Sequence, residues 1–459
     1  MRQSADQILT ARWIAPVHPP TAGAGTPAVL EGHALVLADG FIIDLLPVAK
    51  AEVRYSAHER IDLPQHLVTP GLINLHTHAA MNLLRGTGDD LPLEEWLHTR
   101  IWPQERAHMS AEFVRDGTRL ACLEMLMAGV TCFNDMYFFP DAAAEAALET
   151  GMRAVLGIVV IDFPSAWASD PEDYLAKGLA ARDALRDEPL VSFTLAPHAV
   201  YTVKDPTFAR ISVLAEQLDL PVHMHLHETA GEIAGEMAKS GLRPLERVRR
   251  LGLVGPRLIA VHAVHLEPAE IALLATCGVT IAHCPSSNLK LASGIAPIAQ
   301  ALAAGVRVGL GTDGAASNNR LDLLEEMRLA ALLAKGASGR ADAWPAHAVL
   351  RAATLDAAHA LGLDERIGSL AVGKEADIAA FDLSGLTTQP CGDPVAQLIY
   401  AADRSCVSDV WVRGRHVVSK RQFAEESMAA VLQRGKSNLS YWQEQIAATQ
   451  AGETAMRAK

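Results

Sequence analysis

The stretch PGLINLHTH, Pro70 to His78, decides how this chain is read. It is a short apolar run that ends in two histidines separated by one residue. Side chains alternate faces along a strand, so His76 and His78 point the same way at the strand's C-terminal end, close enough to chelate one metal ion. The spacing alone also describes two histidines on a solvated strand end. The distinction depends on further donors elsewhere in the chain.

Working outward, runs rich in Val, Ile and Thr recur, each followed by an Ala/Leu/Glu-rich stretch of helical period. They cover 68–78, 130–136, 153–160, 190–198, 221–228, 258–265, 279–285 and 307–314. Eight strand-helix units over roughly 250 residues predict an α/β fold of the (β/α)8 TIM-barrel type, with its active site at the C-terminal ends of the strands. The polar residues obey that rule: His76, His78, His198, His225, Glu228, His262, His283 and Asp313 all fall at the ends of their runs. A doubly wound open sheet competes, but no Gly-x-Gly-x-x-Gly opens the first helix.

The flanks read differently. Residues 1–67 alternate short apolar runs with Gly, Pro and Asp, and 366–422 returns to strands with tight glycine turns. Neither C-terminal strand has a helix of its own, so both chain ends are expected to build one small β-sandwich domain around a catalytic barrel at 68–365. The Ala/Glu/Gln-rich tail, 423–459, is expected to be a helix packed on the barrel.

Composition excludes several classes. The 459 residues are 50% hydrophobic and 20% charged, with a net charge of −13 and a pI near 5.8. A nucleic-acid surface would need a basic face, and no apolar run approaches the ~20 residues needed to span a bilayer. The N-terminus lacks a signal pattern, and the expected location is cytoplasmic. Six scattered cysteines with no Cys-x-x-Cys argue against a disulfide framework. Cys284, beside His283, reads as a packed thiol, with a metal-ligand role as the alternative.

Asp313, in GLGTDGA at the end of the eighth strand, lies next to the first strand once a barrel closes, and can share a metal with His76 and His78. The fifth strand offers His223, His225 and His227, one of which should be the remaining nitrogen donor. Three histidines and an aspartate leave a position open for water, as a catalytic zinc requires. His-Glu-x-x-His is absent, and so is Pro-Cys-x-x-Cys. Strand four ends Ala-Pro-His-Ala, without the lysine that a bridged two-metal site uses. A mononuclear centre is expected.

These residues resemble the amidohydrolase superfamily and, within it, the 5-methylthioadenosine/S-adenosylhomocysteine deaminases. The resemblance runs from PGLINLHTHAAMNLLRG through EEWL, MYF, GMRA, APH, HLHET, HAVHL, HCPSSNLKLASGIAPI and GTDGAASNN to GSLAVGKEADIAAFD. It implies one Zn2+ per subunit, for which Fe or Mn could substitute, held by His76, His78, His225 and Asp313. It also implies Glu228 as proton shuttle, His262 beside the hydrolytic water, and Glu105 and His198 as substrate contacts together with Glu228 and Asp313. His223 and His227 then have no metal role.

The implied activity is hydrolytic deamination of an adenine nucleoside. Members that accept S-adenosylhomocysteine place arginines after the GMRA strand to bind its carboxylate. Here GMRAVLGIVVIDFPSAW has none after Arg153, and Ile158 stands where the first is expected. An apolar lining of Ile158, Val160, Phe163 and Trp167 suits a methylthio group, so 5'-methylthioadenosine is the expected substrate, with adenosine and S-adenosylhomocysteine poorer. Guanine deaminase or triazine hydrolase activity is the alternative, and a non-catalytic assembly protein a more distant one. Whether His283 and Asn288 touch substrate, and whether the chain forms a homodimer, the sequence leaves open.

Overall fold

The computed structural model describes residues 2–18, 27–424 and 426–457. Residues 1, 19–26, 425 and 458–459, which fall in the expected N-terminal segment and helical tail, lie outside the described residues. Eight strands form the central sheet in sequential order: β5 (Leu72–Thr77), β6 (Val130–Asp135), β7 (Arg153–Val160), β8 (Val191–Pro197), β9 (Val222–Leu226), β10 (Leu258–His262), β11 (Thr280–His283) and β12 (Arg307–Leu310). Registered pairs between neighbours from β7 to β12 are parallel. Every residue of β5, β6 and β7 is buried, which is why these strands read as apolar runs rather than alternating ones.

The sheet nearly closes into a barrel. The Asp313 N–H donates to the His76 carbonyl at 3.0 Å, tying the end of β12 to β5. Gly311 permits this approach, since a Cβ there would sit 2.8 Å from the His76 Cβ.

A second sheet is built from both chain ends. It comprises β1 (Gln3–Ile14), β2 (Leu30–Ala38), β3 (Phe41–Pro47) and β4 (Tyr55–Pro70) with β13 (Ile378–Asp382), β14 (Val407–Val412), β15 (Arg415–Ser419) and β16 (Gln422–Phe423), in the order β16-β15-β14-β13-β4-β1-β2-β3. Its buried side chains include Leu9, Leu35, Ile378 and Trp411.

The first expected barrel strand, 68–78, is in fact two strands. Residues through Pro70 belong to β4, which pairs with β13 (Val68 opposite Ala380, Pro70 opposite Ile378), and β5 starts only at Leu72. Gly71 makes the change possible: a Cβ there would lie 2.1 Å from Thr131 Oγ1.

The chain divides into two compact units, one of Met1–Asn74, Met125–Cys132 and Asp322–Glu425, the other of Leu75–Glu124, Phe133–Leu321 and Glu426–Lys459. The tail helix Glu426–Arg457 belongs to the second unit, where Trp442 is buried, packs on Phe113 with rings 5.2 Å apart and donates to Asp116 at 3.0 Å. Among the described residues no helix is long and apolar enough to cross a membrane.

Candidate active site

The strand ends bring His76, His78, His225, His262 and Asp313 together. His76 Nε2 and His78 Nε2 stand 3.2 and 3.3 Å from Asp313 Oδ1. One ligand atom each from His76, His78 and His225 lies within 4.8 Å of the others, and the same holds for His76, His262 and Asp313.

The ring orientations have a common cause. The Nδ1 atoms of His78 and His225 meet the carbonyls of Met136 (2.6 Å) and His198 (3.0 Å), and His76 Nδ1 meets His223 Nε2 at 2.9 Å. His262 Nδ1 meets Asn288 Oδ1 at 2.9 Å. With Nδ1 occupied, each ring leaves Nε2 for the cluster, which is how the outer contacts of metal-binding histidines fix the tautomer. Burial lowers the His76 imidazole to about 4 and holds that of His225 well below its usual value, so both are neutral, as ligation needs.

Asp313 is oriented from the other side. Ser287 and Ser317 hydroxyls donate to Oδ2 at 2.6 and 2.8 Å, and the Gly314 N–H donates to Oδ1 at 2.8 Å. Burial alone would raise its carboxyl, yet it is held well below the ordinary range, and the three donated hydrogen bonds favour the ionised form. Three imidazoles and one carboxylate are donor types that zinc takes in catalytic sites, so the residues present fit such an ion.

Beside them lies a cavity of about 540 Å3. Its lining includes His78, His225, Asp313, Glu228, His262, His198 and Glu105. Glu228 Oε2 is 3.8 Å from His262 Nε2, and burial followed by the charge of Asp313 pushes the Glu228 carboxyl up to about 8. A proton is therefore held on Glu228 at neutral pH. Glu105, from the helix Trp102–His108, accepts the Tyr137 hydroxyl at 2.7 Å, and burial raises its carboxyl to about 7. His198 is neutral, lowered to about 3 by burial, with Nδ1 at 3.1 Å from Thr202 Oγ1.

Of the expected apolar wall only Phe163 lines the cavity, and the strand residues that do so are shifted by one position. Val159, Ile161 and Phe163 line the cavity, whereas Ile158 and Val160 do not. Strand alternation is the reason: Ile158 points outward, so close to the helix Pro171–Ala184 that a Cβ on Gly178 would lie 2.2 Å from it. Trp167 backs the wall, buried between Phe138 and Tyr174, without lining it. His283 and Asn288 do not line it either, and Cys284 turns to the Ala282 carbonyl.

Tyr137, Ser317 and Arg106 also line the cavity and Ser287 holds Asp313, although none of the four is among the expected site residues. Tyr137 follows the end of β6 and was within reach of the strand-end rule. The serines act from helices, where no strand period marks them.

Residues 67–417 match the family model described as the amidohydrolase family. A relative from Saccharophagus degradans, named 5-methylthioadenosine/S-adenosylhomocysteine deaminase, is 47% identical over 91% of this chain and 92% of its own. Among solved structures, an adenosine deaminase from Xanthomonas campestris with bound zinc is 47% identical, with a TM-score of 0.93 over 98% of this chain and 100% of that one. A mutant atrazine chlorohydrolase from Arthrobacter aurescens, complexed with zinc and atraton, is 25% identical, with a TM-score of 0.85 over 94% of this chain and 100% of that one.

Proposed function

The chain belongs to the amidohydrolase family, in its 5-methylthioadenosine/S-adenosylhomocysteine deaminase branch, and on that premise we propose that it deaminates adenine nucleosides at a zinc centre, converting 5'-methylthioadenosine to 5'-methylthioinosine and ammonia. The observation that carries this reading is the single cavity shared by the histidine-aspartate cluster, Glu228, Glu105 and an apolar wall of Val159, Ile161 and Phe163.

His76, His78, His225 and Asp313 would hold the zinc ion, which when bound would supply a water acidified toward a pKa of ~7. The protein's own groups handle the protons. Glu228 holds one at neutral pH and delivers it to ring N1, making C6 a better electrophile. His262, with Nδ1 fixed by Asn288, keeps Nε2 free to accept a proton from the water. Asp313 has Oδ2 covered by two hydroxyls and faces the imidazoles through Oδ1, which suits it to ligation and to a supporting share in proton transfer. Glu105 takes the ribose hydroxyls as acceptor, and His198 orients the nucleoside.

Specificity follows from the wall. A methylthio group buries against Val159, Ile161 and Phe163, while a charged amino-acid tail meets no arginine from β7. Arg106, exposed on the helix that carries Glu105, favours slower turnover of S-adenosylhomocysteine over none. The test is kcat/KM for 5'-methylthioadenosine, adenosine and S-adenosylhomocysteine. Preference for the first is expected, and preference for S-adenosylhomocysteine, guanine or a triazine overturns the assignment. Glu228→Gln should retain its metal and lose roughly 10²–10⁴-fold in turnover.

A further inference from the structure

We infer that Glu232 is a positioning residue for Glu228, gripping the backbone that presents the proton-carrying carboxyl; the inference rests on the reading of Glu228 given above. Thr229 and Glu232 have the spacing of a capping box at the start of the helix Ala230–Ser240. Thr229 Oγ1 accepts the Glu232 N–H at 3.1 Å, as such a box requires. In the usual box the glutamate then turns back to the amide of the capping residue itself.

Glu232 reaches further. Its Oε1 accepts the His227 N–H at 3.1 Å and its Oε2 accepts the Glu228 N–H at 2.7 Å. His227 sits at φ 57°, a left-handed conformation that a residue with a Cβ keeps only when its surroundings hold it there. Its ring is fastened at both nitrogens, Nε2 accepting the Leu245 N–H at 2.9 Å and Nδ1 meeting the His265 carbonyl at 3.0 Å. The turn between β9 and the helix is thus clamped by side chain and backbone together, and Glu228 leaves it toward His262. Glu232 is buried and does not line the cavity, so it acts through Glu228 and not on substrate.

Two acceptor oxygens are needed for two amides. Glutamine offers one oxygen and sets an NH2 against the other N–H, and aspartate is a methylene too short to span both. In the metal-loaded full chain, Glu232→Gln should lower kcat by roughly tenfold or more, with KM for 5'-methylthioadenosine within about threefold and metal content unchanged. Glu232→Asp should fall between it and wild type. In the metal-free protein, hydrogen exchange of the segment 226–230 should accelerate in both.

Thr229→Ala separates positioning from capping. It removes the helix cap, lowers Tm, and should leave kcat unchanged. Wild-type kcat in both Glu232 variants, or losses of kcat that track Tm equally across all three variants, overturns the inference. Glu228→Gln measured alongside keeps the two readings apart: an active Glu228→Gln removes the role of Glu228, whereas an inactive one beside a fully active Glu232→Gln removes only the role of Glu232.

Discussion

At Gly311 one methyl group decides whether His76 keeps its place. A Cβ would lie 2.8 Å from the His76 Cβ and 2.9 Å from its backbone N and O, atoms that cannot swing aside. Gly311→Ala should therefore move β5 and weaken metal retention, read as metal per chain after dialysis against a chelator; full occupancy would refute it. Glu105 poses a different residue-scale question, because burial raises its carboxyl to about 7. Its neutral form stabilises the fold below the ordinary carboxyl pKa, and that contribution is lost as pH rises through about 7. Under the proposed contact with ribose hydroxyls the ionised form is the better acceptor, so KM for the nucleoside should fall across the same interval. Glu105→Gln should abolish that pH dependence and gain Tm relative to wild type at pH 8 but not at pH 5. A KM flat in pH for wild type would remove the assignment.

Among the elements, β7 shows how parity governs specificity. Adjacent residues on one strand face opposite directions, so Val159 lines the cavity and Ile158 meets the helix Pro171–Ala184. Val159→Arg should raise kcat/KM for S-adenosylhomocysteine relative to 5'-methylthioadenosine by about tenfold, the size of one charge-assisted hydrogen bond. Ile158→Arg should instead bury an unpaired charge at a cost of about 3–5 kcal/mol, visible as lost soluble protein or lowered Tm. A shift in substrate preference from the second variant, with normal stability, would contradict the register. Parity was available in the sequence, since Val159 and Ile158 are consecutive, but the phase was not. An all-apolar strand buried on both faces carries no polar alternation to say which side is inward.

For the whole molecule, the histidine-aspartate cluster, buried except for half-buried His78, lies where the ends of β5, β9, β10 and β12 converge, so metal removal should lower Tm and restored metal should raise it by an amount that grows with free metal concentration. An unchanged Tm on chelation would mean that no ion is held there. The barrel was legible because eight runs of similar length alternate with helical stretches, and because His76, His78 and Asp313 fall at strand ends that a barrel must bring together. The second sheet was legible as strands left without helices. The sequence by itself thus determined the architecture and the chemical types in the site, since both follow from periodicity and order along the chain. The choice among His223, His225 and His227 was left to resemblance, because a period of two puts all three on one face. What only the tertiary structure decided is the setting of each: His223 is spent on His76 Nδ1, His227 is sealed between Leu245 and His265, and of the three His225 alone joins the cluster with His76 and His78. Those partners come from other strands and loops, at distances along the chain that no local pattern records.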